Sequence, residues 1–181
     1  MPSPIAHSVS GYVLTRLPIV KNIIPSRLWP ITPAAALYSL FVANSPDLDF
    51  LGQLLTGLQL HRGPSHSLLA ALIVSGLLAW LVHRYRPQSS YGNLFSFTFG
   101  LYGSHLLLDL FTAGGRGIPL LWPLSSQYFQ SPFALFPGVH YSRGLWDNSH
   151  LIFIGAELLY SLILLSGLQI WKARADHQVS R

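Results

Sequence analysis

The chain has 181 residues, of which 50% are hydrophobic and 9% charged, with a formal net charge of +5 and a mean hydropathy of +0.41. An ordinary soluble domain carries about 25% charged residues, so this composition excludes that class and points to a membrane protein. The absence of cysteine rules out disulfides, thiolate ligands and thiol catalysis, and the eleven Lys and Arg lie scattered, without a basic stripe or interleaved aromatics, so no nucleic acid partner is expected.

Residues 1–181 contain no linker or long polar insert and read as one domain: an all-α, multi-pass membrane bundle of about five helical segments. The amino terminus lacks a positive region followed by a signal-peptide core and reads as mature sequence. Ile5 to Val20 is mildly amphipathic and Pro33 to Val42 apolar but short, so both are expected as short or partly inserted helices. Ser67 to His83 is apolar and stops at His83-Arg84-Tyr85-Arg86-Pro87, a basic end with a helix-breaking proline behind it. Leu94 to Thr112 reads as a further span, with Gly100, Gly103 and Ser104 offering close helix packing. Ala113 to Asn148 is rich in Gly, Pro, Trp and Phe and predicts a long ordered loop resting at the membrane interface before the last helix. Leu151 to Trp171 is the strongest span, interrupted by one charge, Glu157.

If the spans alternate, Arg16, Lys21 and Arg27, then Arg84 and Arg86, then Lys172, Arg174 and Arg181 fall on one side. The excess of basic residues makes that side the cytoplasm. His7, Asp47, Asp49, His61, His66 and Asp109 then share the extracytoplasmic face, and membrane lipids are the expected surroundings.

Histidine and carboxylate groups cluster at the edges of the apolar segments. Such groups suit a divalent ion with nitrogen and oxygen ligands: zinc, manganese or iron. His105 and Asp109 stand four apart in a helical stretch, so they project from one face and can share an ion, or pair with each other in helix packing. Pro46-Asp47-Leu48-Asp49 sets two carboxylates beside a chain-fixing proline, where they can serve a metal, a base, or a turn. His61 and His66, separated by Arg-Gly-Pro-Ser, imply a turn into the next helix, which Ser65 or Ser67 can cap. One imidazole of that pair can ligate while the other orients water or stabilises a leaving group. Arg62 suits a bidentate grip on a phosphate or carboxylate. Asp147 reads as the N-cap of the last helix, and Glu157 as a carboxylate in need of a partner, with Arg116, Arg143 or His105 available.

The conjunction of His7 with Gly11, Pro46-Asp47-Leu48-Asp49, His61-Arg62-Gly63-Pro64-Ser65-His66-Ser67, and His105-Leu106-Leu107-Leu108-Asp109 followed by Leu120-Leu121-Trp122-Pro123 resembles the YdjM-like, LexA-binding, inner-membrane-associated family of predicted metal-dependent hydrolases. The resemblance covers about residues 5 to 125 in motif order. Two positions depart from the family pattern: Pro64 replaces a larger residue before the Ser of the His-Arg-Gly motif, and Phe50 stands where a histidine is common. The family is distantly similar to zinc-dependent phospholipases C and single-strand nucleases, which implies phosphoester hydrolysis with His7, Asp47, His66, His105 and Asp109 as metal ligands. The expectation is therefore a membrane-bound metal-dependent hydrolase of a phosphoester or related ester, a lipid among the candidate substrates, with Asp49, His61 and Arg62 as catalytic groups. A metal-binding transport or sensor protein is the alternative, because the same ligands also suit a permeation or regulatory site.

Overall fold

Small side chains on one stripe and large apolar ones on the opposite side govern how these helices meet. The computed structural model describes residues 3–17, 33–58, 60–138 and 147–179. Among them are six α-helices: α1 (Pro4–Arg16), α2 (Pro33–Asn44), α3 (Asp49–Thr56), α4 (Leu68–Tyr85), α5 (Tyr91–Leu110) and α6 (Asn148–Val179). Short 3-10 turns at Ser45–Leu48 and Pro64–His66 lead into α3 and towards α4. No strand forms among the described residues, only the isolated bridges Thr112–Phe136 and Ile118–Phe129. The expected all-α architecture is thus observed, and α3 is an element additional to those read from the sequence.

Ala35, Ser39 and Ala43 recur every fourth residue on α2 and are buried, as are Ala71, Ser75 and Ala79 on α4. Such stripes let backbones approach closely. The closest approach is at Gly11 of α1, where a Cβ would stand 2.9 Å from Ala43 Cβ and 2.9 Å from the Ser39 carbonyl oxygen. Thr15 Oγ1 donates to Ser39 Oγ at 2.9 Å along the same seam. Val42, Ala71, Phe97, Leu101, Tyr102, Leu106 and Ile118 form the main core, with α5 at its centre. On the other side, large side chains of α4 such as Ile73, Leu77 and Trp80 are exposed. A helix with small residues inward and leucines outward is built for lipid.

Two helices, α4 and the Asn148–Ala175 part of α6, are long and apolar enough to cross a bilayer. The expected span from Leu94 to Thr112 is a helix, but it is not among those two. Its polar residues Ser96, Thr98, Ser104, His105 and Asp109 explain why, and four of its larger side chains lie in the core.

Glu157 on α6 is buried and accepts from the Ser3 backbone N–H and, at 2.5 Å, from Ser3 Oγ. Ser10 Oγ and Tyr160 OH meet at 2.8 Å. The Arg116 and His105 partners expected for Glu157 are thus replaced by the start of α1, where a carboxylate complements the helix dipole; Arg143, like His140, lies outside the described residues. Because Ser3 pairs with Glu157 and Ser10 with Tyr160, α1 and α6 run parallel. Asp147 accepts from the Ser149 N–H at 2.9 Å, as the expected cap should. The segment after α5 is ordered by Ala113 N–H to Phe136 O at 2.8 Å and by Ile118 and Phe129 exchanging backbone bonds at 3.0 and 2.8 Å.

The contact at Gly11 yields a prediction. Gly11→Val forces α1 from α2 and should destabilise the protein by about 1–3 kcal/mol, visible as a lower thermal midpoint in detergent. A wild-type midpoint would show that the two helices do not meet there.

Candidate metal centre

Five side chains from four segments converge at one end of the bundle. The 3-10 turn after α2 supplies Asp47, the turn before α4 supplies His66, α5 supplies His105 and Asp109, and α1 supplies His7. His66 Nε2 lies 3.4 Å from Asp47 Oδ1, 3.3 Å from Asp109 Oδ2 and 3.3 Å from His105 Nε2. His105 Nε2 is 3.5 Å from Asp47 Oδ1 and 3.8 Å from Asp109 Oδ2. Ligand atoms about 2.0–2.1 Å from a tetrahedral ion lie roughly 3.3–3.4 Å from one another, close to the spacings among Asp47, His66 and His105, one candidate ligand group; His7, His105 and Asp109 form a second that shares His105. His7 stacks on His105 at 3.7 Å between centroids, with Nε2 3.9 Å from Asp109 Oδ1. Asp109 therefore turns one oxygen to each side.

The remaining ring nitrogens decide which atoms face the centre. His105 Nδ1 is 2.8 Å from the Ala43 carbonyl oxygen, which only accepts, so Nδ1 carries the proton and Nε2 presents a lone pair. Ser65 Oγ donates to Asp49 Oδ2 at 2.5 Å, and His66 Nδ1 lies 3.0 Å from Ser65 Oγ and 3.2 Å from Asp49 Oδ2. Both neighbours accept from His66 Nδ1, which leaves its Nε2 facing the cluster as well. The centre thus gathers acceptors. Among the described residues, buried Asp47 Oδ1, both Asp109 oxygens and both His7 ring nitrogens have no hydrogen-bond partner. Orphaned polar atoms of this kind, carboxylate oxygens and imidazole nitrogens, fit a divalent cation. No metal identity follows from them.

Charge supports the same reading. Burial works against the charge on Asp47, but His105 and His66 outweigh it and hold its carboxyl well below the usual carboxylate range. Burial likewise opposes the charge on Asp49, where His61, His66 and Ser65 prevail in the same direction. Burial disfavours a charged His66, yet Asp109, Asp47 and Asp49 push its imidazole up to about 10. The carboxylates thus favour positive charge at His66 Nε2, whether a proton or, in its place, a divalent ion.

Asp49 and His61 sit just outside this group. His61 Nδ1 bonds Asp49 Oδ1 at 2.8 Å, and Gln53 Oε1 accepts from the His61 N–H at 3.1 Å. Asp49 thereby joins His61 to His66, while Asp47, Asp49 and His61 form a further candidate ligand group. Arg62 has φ 57°, a left-handed conformation that a non-glycine residue holds at a cost of about 1–2 kcal/mol. Its guanidinium is buried; Nη1 donates to the Gly114 carbonyl at 3.4 Å, while Nε and Nη2 have no hydrogen-bond partner among the described residues. Gly115 keeps that guanidinium close, since a Cβ there would stand 3.0 Å from Arg62 Nη1.

Two participants escaped the sequence reading. The Ala43 carbonyl carries no side-chain signal. Tyr102 OH donates to the Ser65 carbonyl at 2.6 Å and fixes the His66 turn; its place three residues before His105, on the same face, was the available clue. Ser67 caps α4 by accepting from the Ala70 N–H at 3.1 Å, one of the two expected caps.

With this geometry in place, the comparisons are specific. Residues 1–175 match the YdjM inner membrane protein family. The chain belongs to that family. It is 29% identical over 183 residues to Inner membrane protein YbcI of Escherichia coli (strain K12), covering 96% of this chain and 100% of that one. No solved structure matches the chain. Family membership and the two apolar helices together make this an inner membrane protein, with His and Asp groups able to hold a metal ion.

His105→Ala and Asp109→Asn should each lower the transition-metal content of detergent-purified protein at least severalfold, with membrane insertion intact, as read by elemental analysis. Metal-free wild type purified without chelator would sink the assignment.

Proposed function

We propose that this YdjM-family protein is a metal-dependent hydrolase of a phosphoester or related ester presented at the membrane. The observation that carries the reading is the convergence of His7, Asp47, His66, His105 and Asp109, with orphaned polar atoms on His7, Asp47 and Asp109, and a buried arginine with donors to spare four residues before His66. Asp47, His66, His105 and Asp109 would hold the ion, with His7 on the outer side of Asp109. Zinc suits this donor set best. When bound, a divalent ion lowers the pKa of a coordinated water and polarises a phosphoryl oxygen.

The chain's own groups supply the rest. Asp47 is the most exposed of the five, with a side chain 16% accessible, so water and substrate approach from its side. Asp49 holds the imidazoles of His61 and His66 in orientation, and the Asp49–His61 pair can take up or return a proton at His61. Arg62 Nε and Nη2 offer a planar fork to an anionic oxygen.

The arrangement of basic residues supports an extracytoplasmic site. α4 leaves the centre at Ser67 and ends at Arg84 and Arg86, α5 returns to it at His105 and Asp109, and α1 and α6 run in parallel towards Arg16 and Lys172. Lys21 and Arg27 lie outside the described residues. All the described basic ends thus point away from the metal centre, which suits the preference of basic loops for the cytoplasm and an α5 that completes a third crossing.

A second reading is kept by one observation: His7, His66, His105 and Asp109 are fully buried. A metal-binding transport or sensor protein would need that seclusion and no turnover.

Two measurements test the proposal. Metal-replete Arg62→Ala should keep its metal yet lose tenfold or more of its turnover of phosphodiester or phospholipid analogues, and Arg62→Lys should recover only part, because a point charge replaces a fork. Absence of metal-dependent turnover across phosphomonoesters, phosphodiesters and phospholipids would transfer the preference to the transport or sensor reading. For orientation, Ser125→Cys should react with an impermeant thiol reagent in intact cells and Ser90→Cys should not; the opposite pattern would reverse the topology.

A further inference from the structure

α3 is amphipathic the wrong way round for water. Phe50, Leu51, Leu54, Leu55 and, past the helix end, Leu58 repeat at helical spacing and form one stripe, and every one of them is exposed, Leu55 by 86%. Gly52 and Gln53 face inward instead, Gln53 reaching the His61 N–H. A helix on a water-facing surface shows the opposite pattern. At eight residues α3 is roughly 12 Å long and cannot cross a bilayer. Its first residue, Asp49, is bonded to His61 and lies against His66, so the apolar stripe starts at the metal centre. The level is also fixed, because Asp49 at the start of α3 accepts from Ser65 Oγ, three residues before the start of α4, a helix long and apolar enough to cross the bilayer.

We propose that α3 lies in the plane of the membrane with its leucine stripe sunk into the outermost acyl region of one leaflet, and that the molecule it delivers to the metal centre is a bilayer lipid. What the centre then does to that lipid rests on the hydrolase reading above. Lipid is the occupant because the stripe is continuous with an apolar surface that already faces it. The exposed Leu68, Leu69 and Leu72 at the beginning of α4 adjoin the centre, and Trp122 and Leu124 of the loop after α5 are exposed at the same end. Tryptophan is favoured at the headgroup level. A lipid whose chains lie along α3 carries its headgroup at the depth of Asp49, with Asp47 and Arg62 beside it. Short amphipathic helices seat themselves in an interface in this way.

The natural chain has no cysteine, so a single probe site is available. Leu55→Cys, labelled with nitrobenzoxadiazole and reconstituted in phosphatidylethanolamine/phosphatidylglycerol vesicles, should show blue-shifted emission. It should be quenched at least twofold more by a nitroxide near the top of the acyl chain than by aqueous iodide. Thr56→Cys, off the stripe, should show the reverse preference. Iodide quenching of the Leu55 probe equal to that at Thr56 would overturn the proposal. So would protection that vanishes on dilution of protein in lipid, which would assign the stripe to a second copy of the chain. The turnover consequence is read separately: Leu54→Ser/Leu55→Ser should lower the ratio of long-chain phospholipid to soluble phosphodiester turnover tenfold or more, and an unchanged ratio would overturn lipid delivery. Because quenching needs no catalysis, loss of all turnover in the wild type with the expected quenching would remove the hydrolase reading and leave the lipid seat standing.

Discussion

Asp47 Oδ1, His105 Nε2 and Asp109 Oδ2 lie 3.3–3.4 Å from His66 Nε2 in a bundle with many exposed leucines, and carboxylate oxygens and imidazole nitrogens can each turn a lone pair to a shared cation. Bringing such atoms together without positive charge is unfavourable wherever water is scarce. The rest of the architecture makes sense as the means of holding them there. The Ala43 carbonyl turns His105, and Asp49 with Ser65 turns His66, so that neither ring can rotate its lone pair away without losing a bond. Partners of this kind commonly determine metal affinity nearly as much as the ligands themselves.

Helix packing serves the same end. Gly11 lets α1 approach α2 closely enough for His7, one turn earlier, to stack on His105. Glu157 holds the first residues of α1 from the far side, so a carboxylate within an apolar helix has a positional role. The central helix α5 gives up the apolar character of a simple span to carry Tyr102, His105 and Asp109 on one side.

Much of this was legible in the residues. The four-residue spacing of His105 and Asp109 predicts a shared face, and the Arg-Gly-Pro-Ser insert between His61 and His66 predicts the turn that is found. The apolar stretch ending at Arg84 and Arg86 gives α4 to within a residue or two. Other features carry no one-dimensional signal. A backbone carbonyl such as that of Ala43 looks the same at every position, and the left-handed backbone of Arg62 is rare enough outside glycine that its type argues against it. The partner of Glu157 is a serine 154 residues away, whereas charge matching directs attention to arginines. α3 escaped because its leucines read as ordinary apolar sequence; only their exposure gives them meaning.

X-ray absorption at the metal edge of detergent-purified protein tests the central claim most directly. The account predicts a shell of nitrogen and oxygen at about 2.0–2.1 Å for zinc, with outer-shell scattering from at least two imidazoles, no sulfur, and loss of one imidazole contribution in His66→Ala. An absent edge signal, or a spectrum that His66→Ala leaves unchanged, would contradict it.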